Sequence, residues 1–245
     1  MIIAIVILST LFIGIAFIVT ESNAKYLLSG YNTMSEKERA HFDIKSFVPY
    51  FRKFHLVLGS LLFVFSLLIY FQINSDWAML FLGVFPIISY VYFIWKSNQF
   101  YFEKTKKQNI SSYIAMMVMA SISVVVLYEF QKGLKNNEVI MHPTKIEITG
   151  EYGVELDLKT IKSINLMDSL PEISNKLNGF ALETIKKGYF KTATQEKVVL
   201  LINSTKTPLI LITKTNGEKI YYSSKDKSNK PIFDALIKTY FKEIH

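Results

Sequence analysis

SYIAMMVMASISVVVLY, residues Ser112–Tyr128, is the stretch that decides how this chain must be read. Its seventeen positions contain no Asp, Glu, Lys, Arg or His, and the sequence directly after it, EFQKGLKNNEV (129–139), turns polar and charged. A run of that purity approaches the about 20 apolar residues that a helix needs to cross a hydrocarbon layer of roughly 30 Å. The N-terminal side of this run reads as lipid-solvated and the C-terminal side as water-solvated.

Working upstream, three further stretches have the same character: Ile2–Thr20, Leu56–Phe71 and Trp77–Trp95. The expectation is a membrane α-helical bundle over residues 1–130, with four transmembrane helices spanning about 2–20, 56–71, 77–95 and 112–128. Half of all residues are apolar and 14% are aromatic, more than a water-soluble domain of this size carries. Trp77 and Trp95 bracket the third span as interfacial anchors. Pro86 inside it reads as a helix kink, which membrane helices tolerate. None of the four spans holds an ionisable side chain, which argues against an ion pathway or proton relay. The first span has no basic residues before it, and Glu21–Lys25 does not resemble a small-residue cleavage site, so it reads as a retained anchor.

Lys and Arg in short loops set orientation. Loop 21–55 carries Lys25, Lys37, Arg39, Lys45, Arg52 and Lys53, and loop 96–111 carries Lys96, Lys104, Lys106 and Lys107, whereas 72–76 has none. Both basic loops are expected to be cytoplasmic, and span parity then places the C-terminal domain outside. Within the first loop, Gly30, Tyr31, Asn32, Thr33, Met34 and Ser35 form a turn followed by a helix start, with Ser35 and Glu38 spaced as a capping box. Beyond it Ile44, Phe47, Val48 and Phe51 recur at helical spacing, which predicts an interfacial amphipathic helix that Pro49 should interrupt or bend.

The Gly30–Ser35 string and the helix ending His41-Phe42-Asp43 resemble a bacterial family of small multi-span membrane proteins of unknown function, over about residues 1–95. The resemblance implies a bacterial cell-membrane location and brings no chemistry with it.

From Val139 onward the texture changes to short β-rich runs separated by turn residues. Strands are expected near Lys145–Thr149, Val154–Leu158, Ile161–Asp168, Leu177–Leu182, Gly188–Thr192, Lys197–Ile202, Pro208–Thr213 and Lys219–Ser223. Gly150, Gly153, Asn178-Gly179 and Asn216-Gly217 are expected to supply positive-φ turns. Ile232, Phe233, Leu236, Ile237, Tyr240, Phe241 and Ile244 mark one face of a terminal helix. Gly150–Gly153, Asp168–Pro171, Asn178–Phe180, Lys187–Phe190 and Thr213–Ile220, in that order, resemble a bacterial pleckstrin homology-like (PH-like) domain. The resemblance implies an all-β PH-like barrel closed by a C-terminal α-helix over residues 138–245. The short acidic loop Gly150-Glu151-Tyr152-Gly153 lacks the basic run of phosphoinositide-binding members.

Chemistry-bearing patterns are few. Without cysteine there is no thiolate or disulfide chemistry, and the four histidines, His41, His55, His142 and His245, lack metal-ligand spacing. No nucleophile elbow, phosphate-binding loop or dinucleotide fingerprint occurs, and Glu155 with Asp157 reads as a solvated pair. The net charge of +8 is spread rather than striped, against nucleic acid as a partner. The expectation is therefore a non-catalytic protein with no cofactor and no metal. Its partners would be the lipid bilayer and, for the PH-like domain, a protein or anionic lipid. The candidate contact residues are Pro171, Asn178, Gly179, Lys187, Gly188, Tyr189 and Phe190, together with an exposed sheet edge. The alternative is a small transport or lipid-handling protein regulated by its domain, for which Ser111, Ser112, Ser121 and Ser123 come closest to a polar stripe; small serines otherwise serve close helix packing.

Overall fold

Local capping chemistry sets where the helices begin. The computed structural model describes residues 1–244, with side chains through Thr239. The first helices are α1 (Ile2–Ile18), α2 (Ala24–Leu27), α3 (Glu36–Ala40), α4 (Ile44–Gln72), α5 (Ser75–Ser97) and α6 (Lys106–Leu134). The Asp43 carboxylate accepts from the Ser46 N–H at 3.1 Å to open α4, and the Asn74 side chain accepts from the Trp77 N–H at 3.0 Å to open α5. At the start of α6, Thr105 Oγ1 accepts from the Gln108 N–H at 3.2 Å while Gln108 Oε1 accepts from the Thr105 N–H at 3.0 Å, a reciprocal cap.

The chain divides into two units, Met1–Tyr128 and Glu129–His245. In the first, α1 buries Ile5, Ser9, Phe12 and Ala16, a single face at helical spacing. That face meets Leu58 and Leu62 of α4, and Leu82 of α5 completes the cluster. Gly59 permits the close crossing, because a Cβ there would lie 2.6 Å from Ile13 Cγ1 and 2.8 Å from the Ser9 carbonyl oxygen.

Three helices are long and apolar enough to cross a membrane: Ile44–Gln72, α5 continued through a 3-10 turn to Phe100, and Lys106–Leu134. The expected first span is shorter, 17 residues in α1, or about 25 Å at the helical rise. By length and composition these helices fit a membrane protein. The other helices are longer than the spans read from sequence, so Arg52, Lys53, His55 and Asp76 lie inside helices rather than in loops. The separate amphipathic helix is corrected in the same way: Ile44–Phe51 forms the opening turns of α4, and the helix runs through Pro49. Only the Lys45 carbonyl loses its acceptor role at that proline, close enough to the helix start that the ladder resumes beyond it.

The second unit contains β1 (Val139–Met141), β2 (Lys145–Ile148), β3 (Val154–Asp157), β4 (Ile161–Met167), β5 (Ile173–Ala181), β6 (Lys186–Thr192), β7 (Lys197–Ile202), β8 (Leu209–Lys214), β9 (Lys219–Ser223) and α7 (Asn229–Ile244). They form two open sheets, β1-β2-β3 and β4-β8-β9-β7-β6-β5. All neighbours are antiparallel except β7 and β9, which run parallel, so the arrangement is not a continuous antiparallel meander. Sequence reading missed β1, which has only three residues, and started β5 four residues late.

Alternation along β7 explains the core. Val199 and Leu201 face a cluster with Ile210, Ile212, Ile220, Tyr222 and the β1–β3 sheet, while Val198, Leu200 and Ile202 face Phe190, Leu209, Leu211 and Tyr221. A strand buried on both faces reads as an unbroken apolar run, which is what Val198–Ile202 is. Ile232, Phe233, Leu236 and Ile237 of α7 pack on the first cluster as expected. The side chains of Tyr240, Phe241 and Ile244 lie outside the described residues. Gly150 and Gly217 have the positive φ expected of them, but later in the same β2–β3 turn as Gly150 it is Tyr152, not Gly153, that is left-handed, and Asn178-Gly179 lies within β5 rather than in a turn.

Candidate binding edge and helix junction

Two of the seven sequence-nominated contact residues shape the β5–β6 hairpin. Gly179 and Gly188 face each other across it, and a Cβ on either would collide with the opposing backbone; Gly188 also has φ +116°. Phe190 is buried in the core. Tyr189 is half-buried beneath the Lys197 ammonium, 4.9 Å from its ring centroid. Pro171 is half-buried in the β4–β5 connection. Asn178 is exposed and its Oδ1 accepts from the Tyr152 hydroxyl at 3.3 Å.

What remains open to a partner is the strand edge itself. β5 ends its sheet with β6 as its one strand neighbour among the described residues, and Ser174, Asn175, Lys176, Leu177 and Asn178 are exposed in succession. Two register shifts interrupt its ladder, between Ile173 and Asn175 and between Lys176 and Asn178. Bulges and a lysine are the devices that keep an edge from uncontrolled pairing.

Lys187 requires a correction. Sequence reading takes it as a solvated surface residue and a candidate partner contact, yet it is 0% exposed. It shares a strand face with the core-facing Tyr189, a period-2 signal that was available in the sequence. Its ammonium donates to the carbonyl of Lys135, just past the end of α6. The final carbonyls of a helix lack internal donors, and a cation satisfies them while complementing the negative end of the helix dipole. Lys225 donates to the Leu134 carbonyl at 3.5 Å, and Lys132 pairs with Glu151 at 2.8 Å. Enclosure away from water pushes the Lys187 pKa down to about 8; Glu151 opposes the shift and Lys225 adds to it.

The connection after α6 is bolted by backbone bonds. The Asn137 amide nitrogen donates to the carbonyls of Thr149 and Glu151 at 2.6 and 3.0 Å, its N–H donates to Asn203 Oδ1 at 3.1 Å, and its carbonyl accepts from the Tyr222 hydroxyl at 3.0 Å. Phe180 of β5 lies against Gly133, where a Cβ would overlap the ring, and its centroid is 6.4 Å from that of Phe130.

In the first unit the loop motif is a folded structure. Gly30 has φ +89°, Thr33 donates to the Gly30 carbonyl at 3.1 Å, and Met34 is buried. Tyr31 packs against Phe42 at 5.4 Å, and Arg39 donates to the carbonyls of Tyr31 and Asn32 at 3.3 and 3.1 Å. Ser35 and Glu38 form the expected capping box, whose hydrogen bonds hold the Glu38 carboxyl below the usual range. The serines of α6 do not make a stripe: Ser112 donates to the Gln108 carbonyl at 3.0 Å and Ser123 to the Met119 carbonyl at 3.0 Å, while Ser111 and Ser121 are exposed.

Sequence reading gives His55 no role beyond noting that it lacks metal-ligand spacing. It is buried, with Nδ1 2.8 Å from the Phe51 carbonyl and Nε2 2.9 Å from the Tyr90 hydroxyl. A carbonyl can only accept, so Nδ1 carries the proton and neutral Nε2 accepts from Tyr90. Among the described residues, no three His, Asp or Glu side chains gather to hold a metal ion.

These features define a class: a protein of apolar helices followed by a separate β-sheet domain with a C-terminal helix. Comparison with known families matches residues 6–101 to the family described as Domain of unknown function (DUF3784), a similarity that takes in the loop motif and the helices up to the end of α5. No curated protein and no solved structure matches the chain.

Proposed function

We propose that this chain is a non-catalytic binding or scaffold protein of a bacterial cell membrane, in which four helices hold a C-terminal binding module next to the bilayer. The observation that carries the reading is the β5 edge, where five consecutive residues stand exposed on a strand whose outer side has no neighbouring strand among the described residues. An extended segment of a partner protein adding to such an edge gains main-chain hydrogen bonds, and anchoring raises the local concentration at which the two meet. In this reading loops 21–55 and 96–111 are cytoplasmic and α1 crosses despite its length, which returns the C-terminal domain to the outside. The module is a PH-like variant: sheets followed by a closing helix support the likeness, while the parallel β7–β9 pair departs from an antiparallel PH barrel.

A photo-crosslinking residue at Leu177 of the full chain in native membranes tests the edge, with one at the exposed Lys162 as control. A discrete adduct from position 177, lost on Asn175→Pro, is expected; the same diffuse products from both positions would remove the edge from consideration. Reporters fused after Lys107 and after His245 test the topology, with opposite compartments expected.

A second reading, in which the helices hold a transport or lipid-handling site, has one observation in its favour: the enclosed His55–Tyr90 pair inside the helical unit.

A further inference from the structure

We infer that the last turn of α6, from Glu129 onward, and the β5 edge move as one rigid body within the second unit, so that the strand that would receive a partner is locked to the segment on which its own domain begins. The inference deepens the binding reading and rests on it for its biological use, but its mechanical content stands on geometry alone. A tether between a membrane helix and a domain is flexible when it is a polar, unpacked coil. Here the chain passes from α6 to β1 in four residues, 135–138, and this connection is held from several sides.

Three kinds of contact fix it. Lys187 from β6 and Lys225 from the β9–α7 loop donate to consecutive carbonyls at the helix end, so the helix terminus is gripped by two separate elements of the domain. Asn137 is buried and spends its backbone and side chain on Thr149, Glu151, Asn203 and Tyr222, drawn from the β2–β3 turn, the residue after β7, and β9. Gly133 and Phe130 seat against Phe180, which lies on β5 itself. Rotation of the helix about its axis would need to pull a fully enclosed ammonium from its carbonyl, and an unsatisfied buried charge is among the costliest defects a fold can carry.

The absence of cysteine makes a direct test practical. Spin labels at Gln131 on the exposed side of α6 and at Asn175 on β5, in the full chain in lipid nanodiscs, report their distance distribution by pulsed electron resonance. No partner is present, so failure here would be separate from failure of the binding reading. A single narrow distribution is expected, widening by about twofold or more in Lys187→Met as the junction loosens toward a flexible linker, while a second pair at Lys162 and Asp226 within the domain stays narrow. A broad distribution in the unsubstituted chain, or an unchanged one in Lys187→Met, would overturn the inference. If Lys187→Met also widens the internal pair, Phe180→Ala, which withdraws only the ring facing Gly133, takes its place under the same two criteria.

Discussion

The two units solve opposite solvation problems with the same amino acids. In Met1–Tyr128, large apolar side chains such as Phe17, Phe71, Ile88 and Trp95 point outward, while the interior encloses Ser9, His55, Ser66 and Asp76. In Glu129–His245 the interior takes Leu200, Leu201, Ile210 and Ile212, and most lysines stay on the surface. A monomer in water rarely leaves so much contiguous apolar surface uncovered, so the surface of the first unit fits a membrane protein. Only 6% of the apolar window of α6 is buried, against 28% and 22% for the two long helices before it, which leaves α6 with the most uncovered apolar surface of the three. The lysines repeat the contrast: Lys45 and Lys53 are exposed beside the apolar helices, whereas Lys187 is sealed against a helix end.

The contrast is open to experiment. Its strongest test is Ile212→Asp, which puts a carboxylate at a fully buried position of the β core. A loss of about 5 kcal/mol or more is expected, enough to unfold the second unit; limited proteolysis should degrade residues beyond 129 while the helices stay in the membrane. Val124→Lys is next. The site is 65% exposed, so in a water-soluble protein the change would be neutral, but near the middle of a lipid-solvated helix it should cost about 3 kcal/mol of insertion free energy, measurable in a translocon insertion assay. Neutral behaviour would contradict lipid solvation of α6.

The buried lysine gives a pH signature confined to the second unit. An unfolded lysine keeps its proton up to its ordinary pKa of 10.5, whereas folded Lys187 releases it near 8. Between those values the unfolded state binds more protons, so stability rises with pH there, by up to about tenfold in the folding equilibrium per pH unit, and is insensitive to this group below 8. Strand amide exchange compared between the native chain and Lys187→Met should show the slope in the first and not in the second. The smallest effect is expected from Leu177→Lys. This residue is 47% exposed on the β5 edge, and a change within about 0.5 kcal/mol is expected in thermal unfolding. A large loss would mean that the edge is covered in the intact protein.

The sequence was most legible where a single solvent dictated a long uniform pattern. Apolar helices form over all four stretches, with different bounds, and the unbroken Val198–Ile202 run, the Ile232–Ile237 face of α7 and the Ser35–Glu38 cap stand where periodicity and capping rules put them. It was least legible at β5, whose first half is polar because an edge strand has little to bury, and at Asn178-Gly179, where a dipeptide typical of turns serves instead to let two strands approach. Four of the seven nominated contact residues, Gly179, Lys187, Gly188 and Phe190, are buried or give the hairpin its shape.

By themselves, the residues in order determined that this chain has a lipid-compatible first half and a β-rich second half, because the hydrophobic effect acts on local composition and period. Only the tertiary structure decided that β9 inserts beside β7 in parallel, that His55 finds Tyr90, and that Lys187 closes on the end of α6. Each of those joins groups far apart in the chain, and long-range pairing is fixed by the mutual satisfaction of buried polar groups and packed faces, which no local window of sequence contains.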